Sequence, residues 1–306
     1  MKISSSALVE ILEDVGPEFL AFTKGGWDVE ELNFEEEEQA YAAHNSLMLK
    51  ELPVSGTTRK TSWENGWGQN LEKLRAGATN ALIPAYFGKY EYIRFQSKFY
   101  RTNDRLVELQ LLRALILGAL ECYSSDLVMN RVIEFGCGTG HNLFFLANKF
   151  KNCQFVGSDW SDASSKIIRL PRNAYATPNV IAGPRFDYFN PDSNCKVGHG
   201  DIVLTVASLE QVGKKFDSFL NYLISNQVRR VINIEPEANL LDSSSRFDLT
   251  SLNYMKKRGY LNGFLSELRR REEIGELRIL KAVRSPVGSF PFDGYSLFVW
   301  EPVNAR

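Results

Sequence analysis

The chain has 306 residues, 44% hydrophobic and 24% charged, which suits an ordinary globular protein with one large domain or a catalytic domain plus an extension. Its 36 Lys and Arg against 37 Asp and Glu leave a net charge of −1, so there is no electrostatic case for a nucleic-acid partner. No apolar run reaches the roughly 18–20 residues of a membrane span, so we expect no membrane association. The stretch MKISSSALVEILEDVGPEF interrupts its apolar residues with Glu10, Glu13 and Asp14, unlike a signal peptide. Cys122, Cys137, Cys153 and Cys195 show neither metal-ligand spacing nor a paired framework. Reduced thiols, no metal and a cytoplasmic location are expected.

Residues 1–125 read as a helical extension or cap. SALVEILEDVGPEFLAF is an amphipathic helix. EEEEQAYAAHNSLMLKELP is another, its acidic start, Glu35 to Glu38, favoured by the helix dipole. VSGTTRKTSWENGWGQN, rich in Gly, Ser and Thr, reads as a connection. IPAYFGKYEYIRFQSKFYR is dense in aromatic rings, and DRLVELQLLRALILGALECY is a strongly apolar helix.

Residues 126–306 alternate apolar runs with helical patterns. RVIEFG is a buried strand and HNLFFLANKF a helix with Leu143, Leu146, Ala147 and Phe150 on one face. CQFVGSD is a second strand, and DASSKIIRLPRNAY a second helix that Pro171 bends or ends. NVIAGPRFDYF holds a short third strand and its exit loop. DIVLTVASL is a fourth strand, KKFDSFLNYLISNQ a helix, and RRVINIEP a fifth strand ended by Pro236. Helices follow over about 249–258 and 261–273, then strands in ELRILKAVRS and GYSLFVWEP. β-branched strands alternating with helices predict an α/β fold with a mostly parallel sheet covered on both faces. The loop PVGSFPFDG is too short for a crossover helix, so the last two strands form an antiparallel hairpin.

RVIEFGCGTGHNLFFL carries the chemistry. A strand, a glycine-rich turn and a helix are how α/β proteins bind the polar part of a nucleotide-like ligand. Dinucleotide sites use G-x-G-x-x-G. Here Gly136, Gly138 and Gly140 give G-x-G-x-G, and Glu134 precedes them. A carboxylate there repels a pyrophosphate and attracts an ammonium group. S-adenosylmethionine, with its amino-acid end, sulfonium and adenosine, meets that demand; a nicotinamide cofactor is disfavoured by the spacing.

Residues 131–160 resemble the class I S-adenosylmethionine-dependent methyltransferases, through Glu134, the three glycines and FVGSDWS. The resemblance extends over about 128–306 and implies a Rossmann-like sheet whose last strand runs antiparallel. It implies that Glu134, Gly136, Cys137 and Gly138 form the cofactor turn, that Asp159 binds the ribose hydroxyls, and that Trp160 packs on adenine. Asp159 also reads as a helix N-cap, a place that Ser161 or Asp162 fills equally. Asp187 and Tyr188 stand where the family meets the adenine amino group, although Asp187 also reads as an ordinary loop residue. VASLEQVG, with Ser208, Glu210 and Gln211, matches the variable motif that lines the methyl-transfer site.

Methyl transfer from a sulfonium is an in-line displacement, so the protein positions the nucleophile, excludes water and, for a poor nucleophile, removes a proton. His44 lies in the extension. His141 opens a helix, and His199 precedes the fourth strand at the edge away from the ligand. Glu210 and Glu235, at C-terminal strand ends, remain as catalytic candidates, with ion pairing or helix capping as the alternative for each. In the aromatic segment, Tyr86, Tyr90 and Arg94 are expected to face the pocket, Tyr86 and Arg94 against the cofactor. The expected function is transfer to a small-molecule acceptor, a sugar or other polar metabolite. A methyltransferase-like module that binds the cofactor and serves as a regulatory or partner subunit is the alternative, and a homodimer is compatible with either.

Overall fold

The computed structural model describes residues 1–170, 177–192 and 194–303. In chain order the first part contains β1 (Lys2–Ile3), α1 (Ser6–Leu12), α2 (Pro17–Thr23), β2 (Trp27–Asp28), β3 (Glu30–Glu31), α3 (Phe34–Leu49), α4 (Lys60–Arg75), β4 (Tyr92–Phe95), β5 (Lys98–Arg101) and α5 (Val107–Cys122). The rest contains β6 (Arg131–Phe135), α6 (His141–Lys149), β7 (Gln154–Ser158), α7 (Asp162–Ile168), β8 (Val180–Ala182), β9 (Asp201–Val206), α8 (Asp217–Ser225), β10 (Arg230–Glu235), α9 (Arg246–Arg258), α10 (Phe264–Glu273), β11 (Leu277–Val283), β12 (Val287–Ser289) and β13 (Ser296–Pro302).

Seven strands form one sheet in the order β11-β13-β10-β9-β6-β7-β8. Strands β6 to β10 are parallel, and β13 runs antiparallel to both β10 and β11. This is the mostly parallel sheet with an antiparallel last strand expected from the sequence. The chain leaves β6 toward β7 on one side and returns to β9 on the other. The switch point therefore lies between β6 and β9, where ligands bind at the C-terminal strand ends. β9 and β10 are buried along their whole length, because helices cover both faces. Helix α5 is apolar nearly all round and shares one core with Val132, Ile202 and Ile232. Although it precedes residue 126, α5 packs directly on the sheet. Among the described residues no helix is long and apolar enough to cross a membrane.

The first 101 residues differ most from their sequence pattern. The expected first helix is two, because Gly16 breaks it and Pro17 opens α2 at its first turn. The expected connection is helix α4. The aromatic segment folds as the hairpin β4–β5, whose turn residues Gln96 and Ser97 have φ of 49° and 59°, the left-handed pair that a two-residue hairpin turn requires. The loop between β11 and β13 carries β12, which pairs with β4 in a second sheet of order β12-β4-β5-β3. That pairing ties the N-terminal part to the C-terminal hairpin. The expected bend at Pro171 lies outside the described residues.

Candidate active site

Strand β6 ends in a turn whose three glycines all have positive φ: 67° at Gly136, 54° at Gly138 and 74° at Gly140. Glycine adopts these angles at no steric cost, whereas side-chain-bearing residues seldom do. The Gly136 N–H donates to the Ser158 carbonyl (2.8 Å), and the Gly138 N–H donates to Asp159 Oδ2 (2.9 Å). Asp159 Oδ1 accepts from the Ser161 N–H (2.9 Å), so this carboxylate joins the ends of β6 and β7. Burial raises it to about 6.

Glu134 points from β6 into the same place and is 2% exposed. Its Oε1 accepts from Asn142 Nδ2 (2.8 Å), while the buried Oε2 meets no hydrogen-bond donor. Burial pushes the carboxyl up to about 8. A buried acceptor without a donor is costly. At the glycine turn it marks where a cationic or N–H-bearing ligand group belongs. The residues present therefore fit the amino-acid end of S-adenosylmethionine.

These groups line a cleft of about 290 Å³. Helix α4 roofs it. Trp63 and Trp67 stack at 5.4 Å, and a Cβ added to Gly138 would lie 2.8 Å from Trp67 Cζ2. Glu64 of α4 accepts from the backbone N–H groups of Asp162 (2.8 Å) and Ala163 (3.1 Å), capping α7 and fastening α4 to it. The segment expected to be a connection is thus part of the site. The spacing of Trp63, Trp67 and Leu71, one helical repeat apart, was the available signal.

Other expected residues divide. Cys137, Trp160, Tyr188, Ser208, Tyr86 and Tyr90 line the cleft. Tyr188 donates to the Phe135 carbonyl (2.7 Å) and bonds Ser208 Oγ (2.9 Å), which joins the ends of β6 and β9 beneath the cleft. Trp160 lies near-parallel to Phe189 at 6.4 Å, a wall of two rings. Asp187 sits outside, in a separate surface hollow, with Lys60 Nζ at 3.7 Å. Arg94 also turns away. It is fully buried, donates to the carbonyls of Phe290 (3.0 Å) and Phe247 (3.3 Å) and to Thr250 Oγ1 (2.6 Å), and lies over the rings of Phe99 and Phe247. Arg94 therefore joins the second sheet to α9, and its donors are not available to a ligand.

The two candidate catalytic carboxylates also separate. Glu235 is fully buried and accepts from the N–H groups of Ser208 (3.1 Å), Leu209 (3.1 Å) and Glu210 (3.2 Å). Ala207, at φ 45°, turns the chain sharply so that these three amides converge on it. Glu235 is the anchor of the turn after β9, with its acceptors already engaged. Glu210 faces the cleft. Its Oε1 accepts from Gln211 Nε2 (2.8 Å), and its buried Oε2 has no partner. Burial, then the neighbouring Glu235, pushes Glu210 up to about 8.

Sequence reasoning missed Glu108, which lines the cleft from the first turn of α5. It accepts from the Tyr295 hydroxyl (3.0 Å), and burial pushes it up to about 7. A carboxylate within a helix this apolar was the signal. His141 lines the cleft but is held neutral, pushed down to about 3 by burial and by Arg113. His44 is buried against the Pro291 carbonyl (2.9 Å), and His199 is exposed before β9.

No known protein-family profile matches the chain. It is 27% identical over 164 residues to the protein-lysine N-methyltransferase EFM4 of Saccharomyces cerevisiae, covering 52% of this chain and 63% of that one. The chain thus spans less than two thirds of that curated relative. Among solved structures it is similar to magnesium protoporphyrin IX methyltransferase (ChlM) from Synechocystis PCC 6803, at a TM-score of 0.48 and 14% identity, covering 66% of this chain and 89% of that one. It is also similar to the CurJ carbon methyltransferase, at a TM-score of 0.47 and 11% identity, covering 90% and 72%. The sheet order and the glycine turn are those that the resemblance to the class I S-adenosylmethionine-dependent methyltransferases implies, and the similarity to the yeast enzyme agrees with it.

Proposed function

We propose that this chain transfers a methyl group from S-adenosylmethionine to a polar small molecule held under α4. The observation that carries the reading is the free Oε2 of Glu134 beside three glycines at positive φ. When bound, S-adenosylmethionine supplies a methyl carbon already activated on sulfonium. Glu134 would hold the ammonium group. Asp159 retains lone pairs for ribose hydroxyls, and Trp160 with Phe189 would flank the adenine. Glu108, Glu134 and Glu210 together favour a cationic ligand over an anionic one at the base of the cleft. Glu210, which lines the cleft with a free Oε2, would take a proton from the acceptor or hold its nucleophile. The roof made by Trp63 and Trp67 limits water around the reacting atoms.

The small-molecule reading rests on that roof and on Tyr86 and Tyr90, which border the cleft. Four cysteines outside any disulfide support a cytoplasmic setting. The yeast relative is named for protein lysine, so the test separates acceptors by size. The protein is incubated with S-adenosylmethionine and either the small-molecule or the protein fraction of a cell extract, and S-adenosylhomocysteine is measured. Release with the small-molecule fraction alone supports the proposal. Release with the protein fraction alone transfers the reading to a protein acceptor. Tight cofactor binding without release in either fraction supports a cofactor-binding module.

A further inference from the structure

Arg59, just before α4, and Arg258, the last residue of α9, both line the cleft. The chain brings them together by pinning residue 55 to the end of α9: the Ser55 N–H donates to the Arg258 carbonyl (2.7 Å), and the Ser55 hydroxyl donates to the Gly259 carbonyl. Arg59 lies over the Trp63 ring (5.7 Å). Arg258 lies over Tyr254 (5.9 Å) and Tyr260 (5.0 Å), with Nη1 3.4 Å from the Tyr254 hydroxyl. Each Nε is shut away from water and has no acceptor. Among the described residues neither guanidinium forms an ion pair within 4.0 Å. Arg59 is held below the ordinary guanidinium value, first by burial and then by the charge of Arg258, so the two repel.

Other shielded arginines of this chain have partners: Arg94 donates to two carbonyls and to Thr250 Oγ1, and three more meet carboxylates. Arg230 meets Asp126 and Glu301, Arg271 meets Asp217, Glu267 and Glu276, and Arg284 meets Asp248 and Asp293. Two neighbouring guanidiniums facing a cleft with unused N–H donors break that pattern. A guanidinium fork fits carboxylate and phosphate oxygens. Glu210 is close enough to Arg258 for their charges to interact, so one ligand can present its nucleophile to Glu210 and an anion to the arginines.

We infer that Arg59 and Arg258 form an oxyanion clamp at the acceptor end of the cleft, gripping a carboxylate or phosphate group of the methyl acceptor. This rests on the proposed transfer reaction for the word acceptor, but the clamp itself is testable without turnover. The cofactor also carries a carboxylate, and the experiment distinguishes the two sources.

Wild type, R59Q and R258Q are titrated with inorganic phosphate at constant ionic strength, following the melting temperature. S-adenosylhomocysteine affinity is measured on each by calorimetry. Neither arginine leaves a carboxylate unpaired when replaced, so the variants should keep the wild-type urea midpoint; R59K and R258K, which keep the charge, serve if they do not. Phosphate should stabilise wild type saturably, and its apparent affinity should fall about tenfold or more in each Gln variant, as expected when a charge-assisted hydrogen-bond pair is removed. S-adenosylhomocysteine affinity should change by less than about twofold. No phosphate effect beyond that of chloride, or one equal in all variants, overturns the clamp. A tenfold loss of S-adenosylhomocysteine affinity assigns the pair to the cofactor's carboxylate and overturns the acceptor assignment. A clamp that binds phosphate in a protein unable to bind S-adenosylhomocysteine sinks the transfer reading alone.

Discussion

The cleft has two walls made by different means. The sheet wall is built on backbone: a turn of three left-handed glycines and amides pinned by Asp159, with Glu134 aimed in from β6 and Trp160 after β7 beside it. It is drawn from residues 131–160. The cap wall is made of side chains: Trp63, Trp67 and Tyr86 from the N-terminal part, Glu108 from α5, Glu210 after β9, and Tyr254, Arg258 and Tyr260 around the end of α9. A backbone wall admits few substitutions, because its shape needs particular φ angles. A side-chain wall changes one residue at a time, and under the proposed function it is where acceptor choice would reside.

Replacing Gly138 tests the contrast most severely. The sequence alone suggests that Gly138→Val would abolish cofactor binding and leave the melting temperature nearly unchanged. The structure corrects the second half, because a β-branched residue at φ 54° is strained and its Cβ would meet Trp67. Binding should be abolished and stability should fall by about 1–3 kcal/mol, read from urea midpoints. Wild-type stability in that variant would mean that the turn tolerates a side chain at φ 54° and that Trp67 yields to it.

Glu210→Gln and Glu235→Gln should behave oppositely. If Glu210 is the base, its variant should drop by about two to four orders of magnitude in turnover, with S-adenosylhomocysteine affinity unchanged. Glu235→Gln points an amide N–H at three backbone donors. It should cost about 1–3 kcal/mol in stability, and reduce activity only as the turn after β9 loosens. A stable Glu235 variant with dead chemistry would reverse these roles. Asp159→Ala, on the backbone wall, should reduce cofactor affinity at least about tenfold, because two charge-assisted hydrogen bonds to the ribose would be removed. Unchanged affinity in a folded variant would leave Asp159 as a turn anchor alone.

The smallest effect is on pH dependence. Glu134 and Glu210, pushed up to about 8 from 4.5, bind protons more tightly in the folded state than in the unfolded chain. Their protonation therefore stabilises the ligand-free protein at low pH, and that contribution fades as pH rises from about 4.5 through about 8. A cationic ligand favours the ionised carboxylates, so S-adenosylmethionine affinity should rise over the same window, by up to about tenfold per pH unit for each proton released. Glu134→Gln should flatten this slope. A slope as steep in that variant would show the proton resides elsewhere.

Legibility in the sequence follows the same division. The sheet strands show as β-branched runs, and the glycine turn shows because its residues are close together along the chain. The cap wall is gathered from positions up to two hundred residues apart, and no spacing rule links Arg59 to Arg258. Helix α4 is hidden by Gly66, Gly68, Thr61 and Ser62, which lower helix propensity, while packing of Trp63, Trp67 and Leu71 decides its state. Arg94 reads as free for a ligand because sequence shows charge but not direction. Glu235 stands at the expected strand end, yet the amides that engage it follow a neighbouring strand, which only the β9–β10 pairing brings near.

Calorimetric titration of wild-type protein and Glu134→Gln with S-adenosylmethionine is the most direct test of the central claim. The wild type should show a single saturable site, with affinity at least about tenfold weaker in the variant, because the charge-assisted hydrogen bond from the ligand ammonium to Glu134 would be removed. Absence of binding to the wild type, or equal affinity in a folded Glu134→Gln protein, would contradict that claim.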